Sequence, residues 1–216
     1  MTATFPPSWP LRFVGGVLCL DFVNTLDRPG AANERELLED YGSLLTWSAA
    51  RGTLDATAHA RLARRAAAEP AAAAALFDEA RALRAAIRTL TDAAADGANA
   101  AAGLPLLNEW LGRLAAPTLV RAAGERAGLA FHLPGDDLDE PLRPVLWTLA
   151  PLLASDDFGR LRRCQAQACD AVFVDHTANR SRIWCSDDIC GNRERVRRAY
   201  QARRARKEPR PPRKAR

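Results

Sequence analysis

The sequence lacks the features that mark membrane, exported and several enzyme proteins. It has no run of about 18 apolar residues, so we expect no membrane-spanning helix. Its first residues show no basic segment followed by an apolar one, so we expect no secretory signal peptide. Phosphate-binding loops, dinucleotide-binding glycine fingerprints and nucleophile motifs are missing as well. These absences favour a cytoplasmic protein that is not an enzyme.

Lysine is also scarce, and the basic residues are unevenly distributed. Only Lys207 and Lys214 are lysines, and the excess of arginine and alanine is typical of a GC-rich, bacterial genome. Residues 1–159 carry 14 Arg and 20 Asp or Glu, a net charge of −6, whereas residues 160–216 carry 17 Lys or Arg and 6 Asp or Glu, a net charge of +11. A strongly basic end on an acidic body favours a polyanionic partner for that end. The alternative is a solvated basic tail without a specific partner.

The remaining composition and periodicity predict a mainly α protein with a small β element, that is, an α+β fold. With 48% hydrophobic residues, the chain can form one core and a small appended module. Apolar residues at helical spacing predict five helices in the N-terminal part, over 36–52, 54–68, 71–95, 104–114 and 139–153. Residues 118–122 and 129–133 predict a β-hairpin, and residues 17–22 fit either a short strand or the start of a helix.

Four of the five cysteines form two equally spaced pairs near the C-terminus. Cys164 and Cys169 form one C-x4-C pair, and Cys185 and Cys190 form the second. Such pairs are typical of a closed tetrahedral thiolate site for Zn²⁺, and a reducing compartment favours metal over disulfides. Four protein ligands leave no open coordination position, so we expect one structural zinc ion per chain. Cys19 lies in an apolar run and is expected to be a buried thiol.

The residues around the cysteines predict a treble-clef-like module. A strand from Leu161 precedes the first pair, a hairpin of residues 171–174 and 182–184 lies between the pairs, and a helix capped by Ser186 runs to about Lys207. We expect Val196 and Tyr200, which share one face of that helix, to pack on the hairpin. Prolines end the helix, and residues 207–216 are predicted to be a disordered basic tail.

Two segments resemble known families. Trp184-Cys185-Ser186 followed by Cys190-Gly191-Asn192-Arg193, with Phe173, Asp175 and Arg182 upstream, resembles the CGNR zinc finger, and residues 13–27 resemble the start of the ABATE domain that usually precedes it. The resemblance implies an ABATE-like domain for sensing or assembly over 1–159 and a CGNR-type finger over 160–206. It also implies a candidate stress-induced transcription regulator.

The basic helix supplies the candidate nucleic-acid contacts, which are Asn192, Arg193, Arg195, Arg198, Arg203 and Arg204. Arginine on an exposed helix face suits phosphate contacts, and we predict DNA as the partner. Asn192 and Arg193 have side chains that fit base edges in a major groove, but they fit caps and thiolate donors equally well, so both interpretations stay open. The sequence does not separate DNA from RNA.

A polar cluster follows the first apolar run, formed by Asp21, Asn24, Thr25 and Arg28 with Asp27 between them. It could line a pocket for a small-molecule effector, or its members could be caps and turn residues at a helix end. Two alternatives to a regulator remain. One is an enzyme with its site at 21–28 and a structural zinc finger, and the other is an RNA-binding or protein-docking finger protein. A homodimer is compatible with each.

Overall fold

The computed structural model describes residues 13–32, 34–97, 103–113, 118–120, 128–130 and 137–207. The helices in chain order are α1 (Leu18–Val23), α2 (Tyr41–Ala50), α3 (Ala56–Ala68), α4 (Pro70–Ala95), α5 (Leu104–Arg113), α6 (Arg143–Ala154) and α7 (Asn192–Lys207). The strands are β1 (Leu26–Asp27), β2 (Arg35–Glu36), β3 (Thr118–Val120), β4 (Gly128–Ala130), β5 (Leu161–Arg163) and β6 (Val172–Val174). The prediction of a mainly α protein with a small β element is confirmed.

The long helix α4 is the centre of the N-terminal part. It begins at Pro70, where a missing amide hydrogen costs nothing, and its 26 residues give a length of about 39 Å. Leu83, Ile87 and Leu90 are buried along one stripe, so α4 packs on α1, α2, α3 and α5. The same helix also packs against β5 and β6, which places it between the two ends of the chain.

The first apolar run is a helix rather than a strand. Every residue of α1 is buried, and the helix packs on α4 and α6. Gly15 precedes it at a close approach, because a Cβ on Gly15 would lie 2.6 Å from the Cβ of Leu20. The chain therefore passes directly over the start of α1, where a larger residue would not fit.

The helix predicted from residue 36 begins five residues later than expected. Residues 35–36 instead form β2, which pairs antiparallel with β1. The start of α2 is set by a reciprocal cap, in which the Asp40 carboxylate accepts a hydrogen bond from the Ser43 amide at 2.7 Å and the Ser43 hydroxyl accepts one from the Asp40 amide at 3.0 Å. The capping box, rather than the apolar periodicity, decides where this helix starts.

The predicted hairpin in the second half of the N-terminal part is present in its described strands. β3 pairs antiparallel with β4, with Leu119 opposite Leu129. The other residues of the two predicted segments, 121–122 and 131–133, lie outside the described residues, as do residues 208–216 of the predicted tail.

One hydrophobic core extends into the C-terminal part. Leu161, Val172 and Val174 of the β5–β6 hairpin belong to the same buried cluster as α1, α4 and α6. A second, smaller cluster contains Phe173 and three of the cysteines. Within the described ranges, no helix is both long enough and apolar enough to cross a membrane.

Candidate metal centre

The two cysteine pairs meet at one point. The sulfur atoms of Cys164, Cys169, Cys185 and Cys190 all lie within 4.8 Å of one another. The Sγ atoms of Cys169 and Cys185 are 3.7 Å apart, and those of Cys185 and Cys190 are 3.6 Å apart. Tetrahedral Zn–S bonds of about 2.3 Å place sulfur atoms about 3.8 Å apart. All four thiols are free, so the spacing fits metal ligands and not disulfides.

The four thiols perturb one another's ionisation because they are so close together. The neighbouring thiols of Cys169 and Cys185 favour the thiolate form of Cys164 and lower its pKa. The same interaction raises the pKa of Cys169 and of Cys185, because a second thiolate beside the first is unfavourable. Four thiols this close cannot all ionise alone, whereas a divalent cation stabilises four thiolates.

The first pair is carried by a knuckle that follows β5. The Cys164 amide donates to the Ala171 carbonyl at 2.9 Å, and the Cys169 amide donates to the Ala166 carbonyl at 3.0 Å, which turns the chain tightly between the two ligands. β6 pairs with β5, with Arg162 opposite Phe173. The prediction that residues 171–174 pair with residues 182–184 is therefore wrong. Residues 161–163 pair with β6 instead, and residues 182–184 do not form a strand.

The second pair is placed by a helix start. The Ser186 hydroxyl accepts a hydrogen bond from the Ile189 amide at 3.2 Å, as predicted for an N-cap. Residues 187–191 then form a single wide π-type turn that brings Cys190 back toward Cys185 before α7 begins. Gly191 lies against Trp184, where a Cβ would be 2.8 Å from the indole ring, so the turn requires glycine.

The upstream residues of the CGNR motif hold the loop that leads to the second pair. The Asp175 carboxylate accepts hydrogen bonds from the amides of Thr177 and Arg182, both at 2.9 Å. Burial alone would raise the pKa of Asp175, but a hydrogen bond from the Thr177 hydroxyl and the two amide bonds outweigh it and lower the pKa. The Arg182 guanidinium lies 4.5 Å over the Phe173 ring and donates to the carbonyls of Trp184 and Cys185. These residues support the metal ligands without touching a metal.

Asn192 and Arg193 point in different directions. One nitrogen of the Arg193 guanidinium donates to the Sγ of Cys190 at 3.3 Å and to the Ala168 carbonyl at 3.1 Å, which is the placement that a structural role requires. Asn192 is exposed, and its side chain makes no hydrogen bond to the residues that the structure describes. Arg162 and Arg163 do not reach the thiols, since Arg162 bonds to the Leu161 carbonyl and Arg163 to aspartates of α4 and the knuckle.

The outer part of α7 differs from the prediction. Val196 and Tyr200 were expected to pack on the hairpin, but they are 62% and 63% exposed. The inward side of the helix is occupied by Glu194, which is 3% exposed, accepts a hydrogen bond from the Gln167 amide at 3.0 Å and pairs with Arg197 at 2.7 Å. A carboxylate anchored to the knuckle therefore turns the apolar side chains outward.

The predicted basic contacts fall into two groups. Arg195 lies on Asp187 at 3.1 Å and over the Trp184 ring at 5.6 Å. Arg198, Arg203 and Arg204 are exposed and make no hydrogen bond or ion pair with the described part of the chain. They remain available for an external partner.

The polar cluster after the first apolar run does not converge on one pocket. Buried Asp21 accepts hydrogen bonds from the Gly15 amide at 2.9 Å and from Arg51 at 2.8 Å, and burial raises its pKa. The Thr25 hydroxyl accepts a hydrogen bond from the buried Arg84 at 2.9 Å. Arg28 pairs loosely with Asp27 at 3.7 Å.

Asn24 is the member of that cluster with an unexpected function in the fold. Its Nδ2 donates to the Val172 carbonyl and its Oδ1 accepts from the Val172 amide, both at 2.9 Å. Next to it, the Val174 amide donates to the Gly15 carbonyl at 3.0 Å. The N-terminal part thus satisfies the outer edge of β6. Asn24 also lines a shallow cleft that reaches Cys169 and Cys185.

An ion-pair network around the buried Arg88 ties α4 to the knuckle. Arg88 pairs with Asp92 and Asp170, each at 2.7 Å, and also donates to the Asp170 carbonyl at 2.8 Å. Arg163 adds bonds to Asp92, Asp170 and Asp96. The contacts between α4 and the knuckle were not predicted from the sequence, because they join residues 67 to 82 positions apart. The local signals were an Arg–Asp pair at helical spacing in α4 and another within the knuckle, between Arg163 and Asp170.

The comparisons with known proteins agree with this geometry. The model of the family described as "Putative stress-induced transcription regulator", ABATE, matches residues 16–156, and the model of the CGNR zinc finger matches residues 160–204. A comparison with curated proteins gave no match. The ABATE match extends over more than half of the 216 residues. This chain belongs to the ABATE family and carries a CGNR zinc finger after the ABATE domain.

Proposed function

We propose that the protein is a DNA-binding transcription regulator whose C-terminal module is ordered by one structural Zn²⁺ per chain. The four thiolates would hold the ion through Cys164, Cys169, Cys185 and Cys190. Their sulfur–sulfur distances of 3.6 and 3.7 Å support zinc, and four protein ligands leave no position for a substrate. The ion would cross-link the knuckle to the start of α7 and so fix the direction in which the helix points.

The observation that carries the DNA-binding proposal is the positive charge and the exposure of α7. The helix contains eight Arg or Lys and one Glu, a net charge of +7. From Arg198 to Arg204 every residue is exposed, and among the described elements α7 packs mainly on the turn that precedes it. A short helix that packs on little else is marginal in water by itself. A polyanion that neutralises its arginines would stabilise it and release counterions.

We also propose that the protein has no enzyme activity of its own. Support comes from the polar cluster at 21–28, whose members are engaged in bonds that hold the fold together. A cytoplasmic location, a small-molecule effector and a homodimer remain predictions from the sequence.

The test is a titration of the zinc-loaded full-length protein into a fluorescent duplex of mixed sequence, followed by anisotropy at several salt concentrations. The double variant Arg203→Ala/Arg204→Ala should bind every duplex more weakly. The slope of log K against log salt should become shallower by about 2, because each phosphate contact contributes about 0.9.

A matched control removes the same charge from the body. Arg64 and Arg81 are exposed residues of α3 and α4, so Arg64→Ala/Arg81→Ala lowers the net charge equally without touching α7. This control should leave the slope unchanged. Equal weakening by both double variants would mean that binding follows net charge only, and an absence of binding at low salt would refute the proposed function.

A further inference from the structure

The outward face of α7 carries a stripe that the phosphate contacts do not explain. Asn192, Val196 and Tyr200 are spaced by four residues, so each is rotated by only about 40° from the last and the three form one line along the helix. All three are exposed, and Val196 and Tyr200 are the most exposed large hydrophobic residues among those described. We call these three residues the α7 stripe.

The orientation of the α7 stripe is set by the anchor on the opposite side. Val196 lies roughly 160° around the helix axis from Glu194, the carboxylate that bonds to the Gln167 amide. Arg193 and Arg197 lie between the two sides, and their guanidinium groups bond inward to Cys190 and Glu194. The helix is therefore fixed with its stripe facing away from the protein.

Arginines lie beside the α7 stripe. Arg203 and Arg204 lie within about 60° of Tyr200 and continue the line of the stripe, while Arg195 and Arg197 lie roughly 100° from Val196 on its two sides. An exposed line with one amide and two apolar side chains, bordered by arginines, matches the cross-section of a major groove, where base edges lie between two phosphate backbones. The helix diameter of about 10–12 Å also fits a groove about 12 Å wide.

We propose that α7 enters the major groove of duplex DNA and that Asn192, Val196 and Tyr200 contact base edges and determine sequence preference. The inference rests on the proposed DNA-binding function and adds the residues that would select the sequence. Asn192 can bond in bidentate fashion to the N6 and N7 atoms of adenine, and the methyl groups of Val196 can contact the C5-methyl group of thymine. Tyr200 offers a ring face to a second thymine methyl and a hydroxyl group to a base or phosphate.

The length of the α7 stripe sets the size of the site. Asn192 and Tyr200 lie about 12 Å apart along the axis. Base pairs rise by about 3.4 Å, so the stripe covers three to four base pairs. The preferred site should be that short and should contain at least one A·T pair opposite Val196.

A second copy of this chain is the main competing occupant. Two α7 helices packed through their stripes would bring two charges of +7 together, which is unfavourable without counterions. Duplex DNA satisfies both the apolar line and the arginines beside it, so charge complementarity favours DNA.

The test begins with selection from a random duplex pool by the zinc-loaded full-length protein. The ratio of affinities for the selected site and a scrambled duplex is then measured for the wild type, Asn192→Ala, Val196→Ser and Tyr200→Ala at one salt concentration. Asn192→Ala should lower this ratio by about tenfold or more, the usual value of a bidentate base contact. Replacing the contacted thymine by deoxyuridine should weaken wild-type binding about three- to fivefold, as expected for one lost methyl group. The same replacement should leave the affinity of Val196→Ser unchanged.

The matched control is Ala202→Ser, an exposed change on the side of α7 away from the stripe, which should leave the ratio unchanged. Zinc content and melting temperature should stay at wild-type values in every variant, because the changed side chains are exposed.

If the three stripe variants keep the wild-type ratio while the arginine variants still weaken binding, the α7 stripe does not contact bases and the proposed function survives. A wild type that binds DNA without sequence preference would overturn the inference in the same way. Stripe variants that change the oligomeric state in size-exclusion chromatography, but not the ratio, would assign the stripe to a second copy. If the wild type binds no DNA, both proposals fail.

Discussion

Replacing Asn24 by alanine should destabilise the whole protein, although Asn24 is not a core residue. Its carboxamide makes two hydrogen bonds of 2.9 Å to the backbone of Val172, a residue with 0% exposure. Removing the Asn24 side chain leaves the amide and the carbonyl of Val172 without these partners. A buried group left without a hydrogen bond costs about 1–3 kcal/mol, so losing both bonds should lower the free energy of unfolding by roughly 2–4 kcal/mol.

Thermal unfolding of the zinc-loaded full-length protein measures this effect. For a domain of about 200 residues, 1 kcal/mol shifts the melting temperature by about 2–4 °C, so Asn24→Ala should melt roughly 4–16 °C below the wild type. Asn24→Asp keeps the acceptor for the Val172 amide but loses the donor, and should recover at most part of the loss. The control Asn179→Ala removes an exposed turn residue bonded to Ser181 and should stay within about 0.5 kcal/mol of the wild type. If Asn24→Ala has the same melting temperature as this control, Asn24 does not hold β6 to the N-terminal part.

Two further predictions concern the metal centre and its supporting loop. Protein purified without added metal should contain close to one zinc ion per chain by elemental analysis. Cys190→Ser should lose the ion, whereas Cys19→Ala should keep it. Cys19 is a fully buried thiol, and burial raises its pKa to about 12. Stoichiometric zinc in Cys190→Ser would show that the ligands are misassigned. The second concerns Asp175, whose pKa in the folded protein lies below its ordinary value of 3.8. The folded state therefore binds fewer protons at this carboxyl than the unfolded state does. The stability that the ionised Asp175 contributes is complete above pH 3.8 and is lost as the pH falls through the lowered pKa. Asp175→Asn should therefore be less stable than the wild type at pH 7 in urea unfolding and should lose less stability between about pH 5 and pH 2; an acid limb as steep as that of the wild type would contradict this assignment.

The clustering of the four cysteines could be predicted from the sequence because its signals are local. Two C-x4-C pairs and a serine cap before a basic helix each involve residues close together in the chain, and the structure has the four sulfur atoms within 4.8 Å and the cap on Ser186. The same holds for the starts of α3 and α4, since Asp55 caps α3 and Pro70 is the first residue of α4.

The start of α2 shows where periodicity fails. Leu37 and Leu38 continue the apolar spacing of the helix, and both are buried, but they lie before the capping box of Asp40 and Ser43. Burial therefore does not distinguish the last residues of an extended segment from the first turn of a helix. The chemistry of Asp40 would have done so.

Val196 and Tyr200 show a different limit. Spacing by four residues correctly places them on one face of α7, but spacing does not tell whether another element covers that face. The outcome depends on Glu194, which bonds to an amide 27 residues earlier in the chain. The bonds between Asn24 and Val172 are even harder to predict from the sequence, because they join residues 148 positions apart. An Asn near a helix end can also form several kinds of local hydrogen bond.

The shared core decides how DNA binding should be measured. Leu161, Val172 and Val174 pack with the helices of the N-terminal part, and the network of Arg88 and Asp170 joins α4 to the knuckle. A fragment that begins at residue 160 would expose those three side chains and leave the outer edge of β6 unpaired. Modules of this size rarely bury enough apolar surface to fold alone, even with a metal ion, when part of their core is removed. Weak DNA binding by such a fragment would report its folding rather than its affinity, so the full chain is the proper object of each experiment.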